Sequence, residues 1–333
     1  MNIRPLTAAF GTELTALAEI DPAGIRQLVR DSGAVLVRSK ATVESFVELT
    51  NRLIKGFHQY QGGAFERDAI TGFDNLMTTT SAKDPFPVPL HGECYYMRQR
   101  PGSIWFYCKK PSANGDGMTL LCDGVQLLRE LDEKTRAFFE ENELTYVRLL
   151  PKQAWKGAFG TEKVEEVLAC LKMVGQDAAA NADQTAILSR FRTSALSPTQ
   201  FTNDPAFINT VIPAILAEEM MKLLLEGPVT SGTPDHLASW MPPDEKAKLA
   251  LQETFRQMRA TGRNAGVIVR LNNNERLPEE IVRDVLRTAA RLTYEIHWAE
   301  GDFLGVDNSR VMHGRGYCSD SSRSVLCRMG DFA

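Results

Sequence analysis

The sequence predicts a mostly β core with flanking helices, held in a single domain spanning residues 1–333 and carrying an enlarged helical insertion at about 155–260. Three observations predict it. Short runs rich in β-branched and aromatic residues recur in both halves of the chain, bounded by Gly, Pro and Asp. Apolar residues at helical spacing mark the intervening stretches. No internal repeat, low-complexity tract or linker divides the chain.

Taken in order, DPAGIRQLVRDSG (21–33) reads as a capped amphipathic helix that stops at Gly33. AVLVRS (34–39) is a short apolar strand, and TVESFVELTNRLIKGF (42–57) is a second helix. A Gly-, Thr-, Ser- and Pro-rich segment at 61–89 is too long for a plain connector, and such segments are usually functional or disordered. Strands follow at 102–111 and 118–124, a helix at 125–142 and a strand at 143–150. Residues 160–260 read as largely helical, with TEKVEEVLACLKMVG, AFINTVIPAILAEEMMKLLLEG and PDEKAKLALQETFRQMRATG as the clearest pieces. A strand at 266–271 and a helix at 277–292 lead to two strands around a Gly-Asp turn at 293–316, and RSVLCRMG (323–330) is a final strand.

Composition excludes several classes. The chain is 43% hydrophobic and 24% charged, ordinary globular proportions with length enough for a sizeable core. A net charge of −4 with scattered Lys and Arg gives no phosphate-tracking patch, so nucleic-acid binding is not expected. No run of about 18 apolar residues suggests a membrane span, and MNIRPLTAAFGTELTAL lacks a signal-peptide pattern. The six cysteines never form CxxC and read as reduced thiols, so the expected location is cytoplasmic. There is no GxGxxG, Walker or GxSxG element to support a nucleotide enzyme or serine hydrolase.

The chemistry concentrates in VPLHGECYYM (88–97). On a strand, residues i and i+2 share a face, so His91 and Glu93 would point the same way. A third ligand from elsewhere would complete a two-His-one-carboxylate set, which leaves positions open and suits non-heme Fe(II). His313, in DNSRVMHGR, is the candidate. A lone histidine on a strand is more often a surface or satisfied core residue, but here a distant histidine, a Gly-turn-Thr element and an Arg-bearing strand accompany the pair. His58, His236 and His297 have no partner at ligand spacing and read as structural.

Three blocks, HGE (91–93), RPGSIWFYCKKPSANGDGMTLLCDG (100–124) and DNSRVMHGRGY with RSVLCRMG (307–330), resemble the TauD/TfdA family of Fe(II)- and 2-oxoglutarate-dependent oxygenases. Most of that family has HxD. Glu here resembles the clavaminate-synthase and amino-acid β-hydroxylase branch, and HGECYYMRQRPGSIWFYC also resembles the syringomycin-pathway aspartyl hydroxylases. The resemblance implies a double-stranded β-helix, or jelly-roll. It implies iron on His91, Glu93 and His313, with O2 as cosubstrate. It also implies a 2-oxoglutarate carboxylate on Thr119, although the usual Gly-Gly-x-Thr reads GDGMT here. An arginine of the last strand would clamp the other carboxylate through a bidentate pair. The family often shows two such arginines four residues apart on one strand face; Ser324 takes the first place on the face of Arg328, and Arg323 faces the other way unless a bulge intervenes, so Arg328 is favoured and Arg323 second.

The retained carboxylate argues for oxygenation, desaturation or cyclisation of an unactivated C–H bond rather than halogenation. The expected substrate is a small polar molecule, an amino acid or derived natural-product intermediate, free or tethered to a carrier protein. Asn75, Thr79, Cys94 and Tyr96 are candidate substrate contacts, as are Thr78, Thr80, Ser81 and Tyr95. Two other classes compete: a cupin-like metal enzyme without 2-oxoglutarate, and a non-catalytic binding protein of the same fold.

Overall fold

The computed structural model describes residues 2–15, 21–58, 67–80, 85–216 and 265–333, together with 244–246, 248, 249 and 253. Its heart is a pair of facing sheets. The larger runs β1 (Asn2–Pro5), β2 (Thr12–Thr15), β3 (Ala34–Arg38), β16 (Phe303–Asp307), β7 (Ser103–Lys110), β18 (Ser324–Phe332), β4 (Ile54–Phe57), with β5 (Met77–Thr78) also paired to β18. The smaller runs β15 (Tyr294–Ile296), β8 (Thr119–Asp123), β17 (Val311–Arg315), β6 (Val88–His91). Apart from β2 on β3, the strand pairs of these two sheets are antiparallel. This is the expected double-stranded β-helix.

The period of two along each strand sorts its side chains between two cores. Ile104, Phe106 and Cys108 of β7, with Val325, Cys327 and Met329 of β18, face inward onto Leu121, Ile296 and Val311. The alternate residues Trp105, Tyr107 and Leu326 face outward onto α1 (Pro22–Ser32) and α2 (Val43–Leu53), where Ile25, Val29, Phe46 and Leu53 meet them. Because both faces are covered, these strands read as continuous apolar runs.

Local chemistry sets the helix ends. The Asp21 carboxylate accepts the Ala23 and Gly24 N–H groups, and Gly33, at φ +83°, ends α1 by donating to Val29 O. Thr42 and Ser45 form a capping box on α2. That helix stops at Leu53. Residues 54–57, expected to continue it, form β4 on the end of β18 instead. The helix expected over 125–142 is broken into α3 (Gly124–Glu130) and α4 (Glu133–Glu141).

The insertion departs further from expectation. α5 (Lys152–Phe159) and α6 (Val164–Met173) are helical, but β10 (Asp177–Ala180) and β11 (Ala186–Ser194) form an antiparallel hairpin where helix was expected. They extend a third sheet, β10-β11-β9-β14, through β9 (Glu143–Pro151) and β14 (Ala265–Leu271). DAAANADQTA is alanine-rich and so scores as helix. Pairing along the whole of β9 overrides that preference. AFINTVIPAILAEEMMKLLLEG starts in another short hairpin, β12 (Leu196–Pro198) with β13 (Pro205–Phe207). Residues 211–216 are helical, and the rest of that piece lies outside the described residues, as does most of PDEKAKLALQETFRQMRATG. α7 (Glu279–Leu292) buries Ile281, Val285, Leu286 and Ala289 in the core shared by the outer face of the smaller sheet and the third sheet. No helix among the described residues is long and apolar enough to cross a membrane.

Candidate metal centre and cosubstrate cavity

β6 and β17 lie side by side, and their register sets His91 opposite His313, with ring centroids 4.5 Å apart. β8 flanks β17 on its other edge and sets Thr119 opposite Arg315. Both histidines therefore come from strand pairing.

Glu93 does not. β6 ends at His91, and Glu93 sits in the turn that follows, so a shared strand face is not what brings the pair together. The turn is fixed by its backbone. Gly92 N–H donates to Asn209 O at 2.8 Å, and Glu93 N–H donates to the Asn308 side-chain oxygen at 2.8 Å. Asn308 Nδ2 returns a bond to Glu93 O at 3.2 Å and another to Pro101 O at 2.8 Å. Gly92 is needed for close approach, since a Cβ there would lie 2.5 Å from Tyr95 Cδ2. The carboxylate is thus presented by a bracketed turn. Asn308, which does this, was not singled out from the sequence although it lies in the quoted DNSR.

The three side chains meet. His91, Glu93 and His313 each offer a ligand atom within 4.8 Å of the others, the one such group of three or more among the described residues. His313 Nε2 is 3.5 Å from Glu93 Oε2, and both side chains are buried. His91 Nδ1 lies 2.8 Å from Pro89 O, so donating its proton there leaves Nε2 with a free lone pair. Burial, then His313, lowers the His91 imidazole to about 4, which keeps it neutral and able to ligate. Burial pushes the Glu93 carboxyl up, but the Arg67 guanidinium and the two histidines pull it down further, well below the usual carboxylate range. Two imidazoles and one carboxylate with open positions are the donor set of a facial-triad iron, and the residues fit it.

A cavity opens beside the triad, lined among others by Arg67, Thr79, Thr119, Arg315 and Arg323. Thr119 lies on β8 at the edge of this cavity. Its hydroxyl oxygen accepts the Trp298 indole N–H at 2.9 Å, which leaves its own O–H to donate to a ligand carboxylate. Trp298 is thereby a support for the cavity wall.

The arginine assignment is corrected. Arg323 lines the cavity; Arg328 does not. Arg328 shares the parity of Leu326 and so projects through the outer face of the sheet onto α2. There it donates to Val47 O at 2.9 Å, Thr50 Oγ1 at 2.6 Å, Asn51 Oδ1 at 2.8 Å and Asp74 O at 3.1 Å, and stacks over Phe57. The two arginines do face opposite ways, as expected, but the inward face is that of Val325 and Cys327. The GDGMT turn helps seat Arg323. Gly117, at φ +68°, packs so closely that a Cβ would lie 2.9 Å from Arg323 Cδ. Arg315 is buried and donates to Thr80 O at 3.2 Å and Phe86 O at 2.8 Å.

Of the candidate substrate contacts, Thr79 and Thr80 line the cavity. Asn75 does not; it sits on a turn at φ +55°. Cys94 lies beneath Glu93, its sulfur 3.8 Å from Glu93 Oε1 and 3.8 Å from His58 Nε2. Tyr96 is buried against the Arg148 guanidinium, and the Tyr95 hydroxyl donates to Asn308 O at 3.1 Å. Ser81 and His236 lie outside the described residues. His297 is exposed beside Glu295.

Residues 2–329 match the family described as taurine catabolism dioxygenase TauD, TfdA. A clavaminate synthase-like protein of Arabidopsis thaliana is 24% identical over 305 residues, covering 86% of this chain and 78% of the relative. The dapdiamide synthesis protein DdaC of Enterobacter agglomerans is 28% identical over 180 residues, 50% of this chain and 54% of the relative. Among solved structures, a "putative alpha-ketoglutarate-dependent taurine dioxygenase" from Burkholderia xenovorans superimposes with a TM-score of 0.51 at 12% identity, over 100% of this chain and 92% of that one. At that identity the likeness is one of fold.

Proposed function

We infer the reaction of this chain, which belongs to the TauD/TfdA dioxygenase family, from its clustered His91, Glu93 and His313 beside an arginine-lined cavity. It is an Fe(II)- and 2-oxoglutarate-dependent oxygenase. We propose that its substrate is an amino acid or amino-acid-derived natural-product intermediate, attacked at an unactivated C–H bond. With iron bound, the centre supplies oxidation of that bond by O2, coupled to conversion of 2-oxoglutarate to succinate and CO2.

The chain's own residues divide the remaining work. His91, Glu93 and His313 would hold the metal. Arg323 would pair with the distal carboxylate of 2-oxoglutarate, since a guanidinium fork matches a carboxylate in shape and charge. Thr119, oriented by Trp298, would add a hydroxyl donor to a 2-oxoglutarate carboxylate. Phe106, Val88 and Val325 line the same cavity and exclude water from it. Thr79 and Thr80 line it as well.

The substrate reading rests on the Glu93 variant of the triad and on the names of the two curated relatives, one clavaminate synthase-like and one from dapdiamide synthesis. It is tested by supplying iron, 2-oxoglutarate and O2 with a panel of free amino acids and carrier-bound aminoacyl groups, and measuring succinate. A stimulated release with one of them, together with a product heavier by one oxygen or lighter by two hydrogens, supports the reading. A panel with no member above the substrate-free rate, on iron-loaded protein, overturns the amino-acid assignment.

A further inference from the structure

We propose that Arg67 is the positioning residue of the metal centre, holding the Glu93 carboxylate in the orientation in which it can ligate; the inference rests on Glu93 being a metal ligand. Arg67 stands outside every block that carries the family resemblance, in the long segment before β6. Its Nη2 donates to Glu93 Oε2 at 2.6 Å, the length of a strong charge-assisted bond. Its Nη1 reaches Cys327 Sγ on β18 at 3.0 Å. The side chain is only 8% exposed.

The placement is built into the fold. Residues 68–78 form a closed loop. Asp68 N–H donates to Thr78 Oγ1 and Thr78 N–H to Asp68 O, each at 2.9 Å, and Ile70 N–H donates to Leu76 O at 2.9 Å. Ala69 bridges Met77, and β5 then pairs with β18, setting Met77 opposite Cys327 and Thr78 opposite Leu326. The base of this loop is therefore pinned to the larger sheet, and Arg67 spans from it to Glu93 in the turn that follows β6. A carboxylate has about four lone-pair sites, so a bond from Arg67 leaves room for a metal. Because Glu93 comes from a turn and not from a strand, its backbone is bracketed by Asn308 while its side chain takes its direction from Arg67. Partners of this kind, behind a ligating group, typically change metal affinity 10–100-fold, roughly, when removed.

The test is a double-mutant cycle read by metal binding. Mn(II) and Co(II) are titrated calorimetrically into full-length wild type, Arg67→Gln, Arg67→Lys, Glu93→Gln and the Arg67→Gln/Glu93→Gln pair, with circular dichroism confirming the fold of each. The proposal expects Arg67→Gln to weaken binding by about 10–100-fold, Arg67→Lys to recover most of it, and the Co(II) visible spectrum of Arg67→Gln to change shape. It expects no further loss from Arg67→Gln once Glu93 is Gln. Equal or tighter binding by folded Arg67→Gln overturns it, because Arg67 would then compete with the metal. An undiminished loss in the Glu93→Gln background also overturns it, because the effect would not run through the carboxylate. If Arg67→Gln alone fails to fold, Arg67→Lys and the paired variant decide by the same criteria. Failure of wild type to bind either metal, or binding that survives His91→Ala, instead refutes the metal-centre reading itself.

Discussion

Two buried arginines belong to the last strand region, Arg328 on β18 and Arg323 immediately before it, and their surroundings differ. On the outer face Arg328 is saturated by carbonyl, hydroxyl and amide oxygens of α2 and the 74 turn, with an aromatic ring beneath it. On the inner side Arg323 lines a cavity with Thr119 and the two histidines. Burial alone does not separate them, since both are largely buried. What separates them is what their N–H groups meet: oxygens of the protein's own helix, or a space shaped for a ligand. A buried cation satisfied by the fold is a structural fastener, whereas one lining a cavity beside a metal-ligand set is the candidate for holding the cosubstrate.

The comparison breaks most completely at the triad. His91→Ala and His313→Ala should each abolish Fe(II) binding and reduce turnover to background with the fold retained, as isothermal titration and circular dichroism would register. A variant that still bound iron at wild-type affinity would remove the metal from the inner face altogether.

The arginines themselves come next. Arg328→Leu should cost about 3 kcal/mol of stability, because it strands buried oxygens on α2, and should leave the 2-oxoglutarate KM unchanged. Arg323→Leu should do the reverse, raising that KM by roughly 100-fold or more through loss of a charge-assisted pair, with little change in melting temperature. Urea melts and initial rates on the two variants separate the cases. Matching phenotypes would mean that the two faces are not functionally distinct.

Trp298→Phe sharpens the picture on a smaller scale. It removes the indole donor from Thr119, worth about 1 kcal/mol, so the 2-oxoglutarate KM should rise about 5-fold with kcat nearly constant. A kcat effect with unchanged KM would place Trp298 elsewhere in the reaction.

The smallest effect is expected at the exposed loop from which Arg323 emerges. The Asp320 carboxylate accepts N–H bonds from Ala113 and Ser322, which lower it to about 2. A folded-state value below the ordinary 3.8 stabilises the folded loop above the ordinary value. That contribution is lost as pH falls from about 4 through about 2. Amide exchange at Ala113 and Ser322 should therefore lose protection only in that window. Loss already near neutral pH would mean that Asp320 does not hold the loop.

Much of this was legible from the sequence, and the exceptions have physical causes. His91 and His313 are legible because strand motifs keep fixed spacing and direction, and Thr119 is singled out only through the resemblance that GDGMT carries. Glu93 was readable as a ligand but for the wrong reason, since a turn, not a strand face, delivers it. Alternation correctly opposed Arg323 to Arg328, yet periodicity cannot say which face of a doubly covered strand is inward, because Val325 and Leu326 are equally apolar. Asn308 and Arg67 were missed because each acts across the sandwich, with no local spacing to announce it. The β10–β11 hairpin was missed because its alanines favour helix until a neighbouring strand is present.

The central claim is that the inner face assembles an iron and 2-oxoglutarate site. It is tested most directly by anaerobic titration of 2-oxoglutarate into Fe(II)-loaded wild type, Arg323→Leu and Arg328→Leu, following the visible charge-transfer band of the chelated cosubstrate. The band should form in wild type and in Arg328→Leu at similar 2-oxoglutarate concentrations, and should need far higher concentrations in Arg323→Leu. A band lost in Arg328→Leu and retained in Arg323→Leu, or one absent from folded, iron-loaded wild type, would contradict the account.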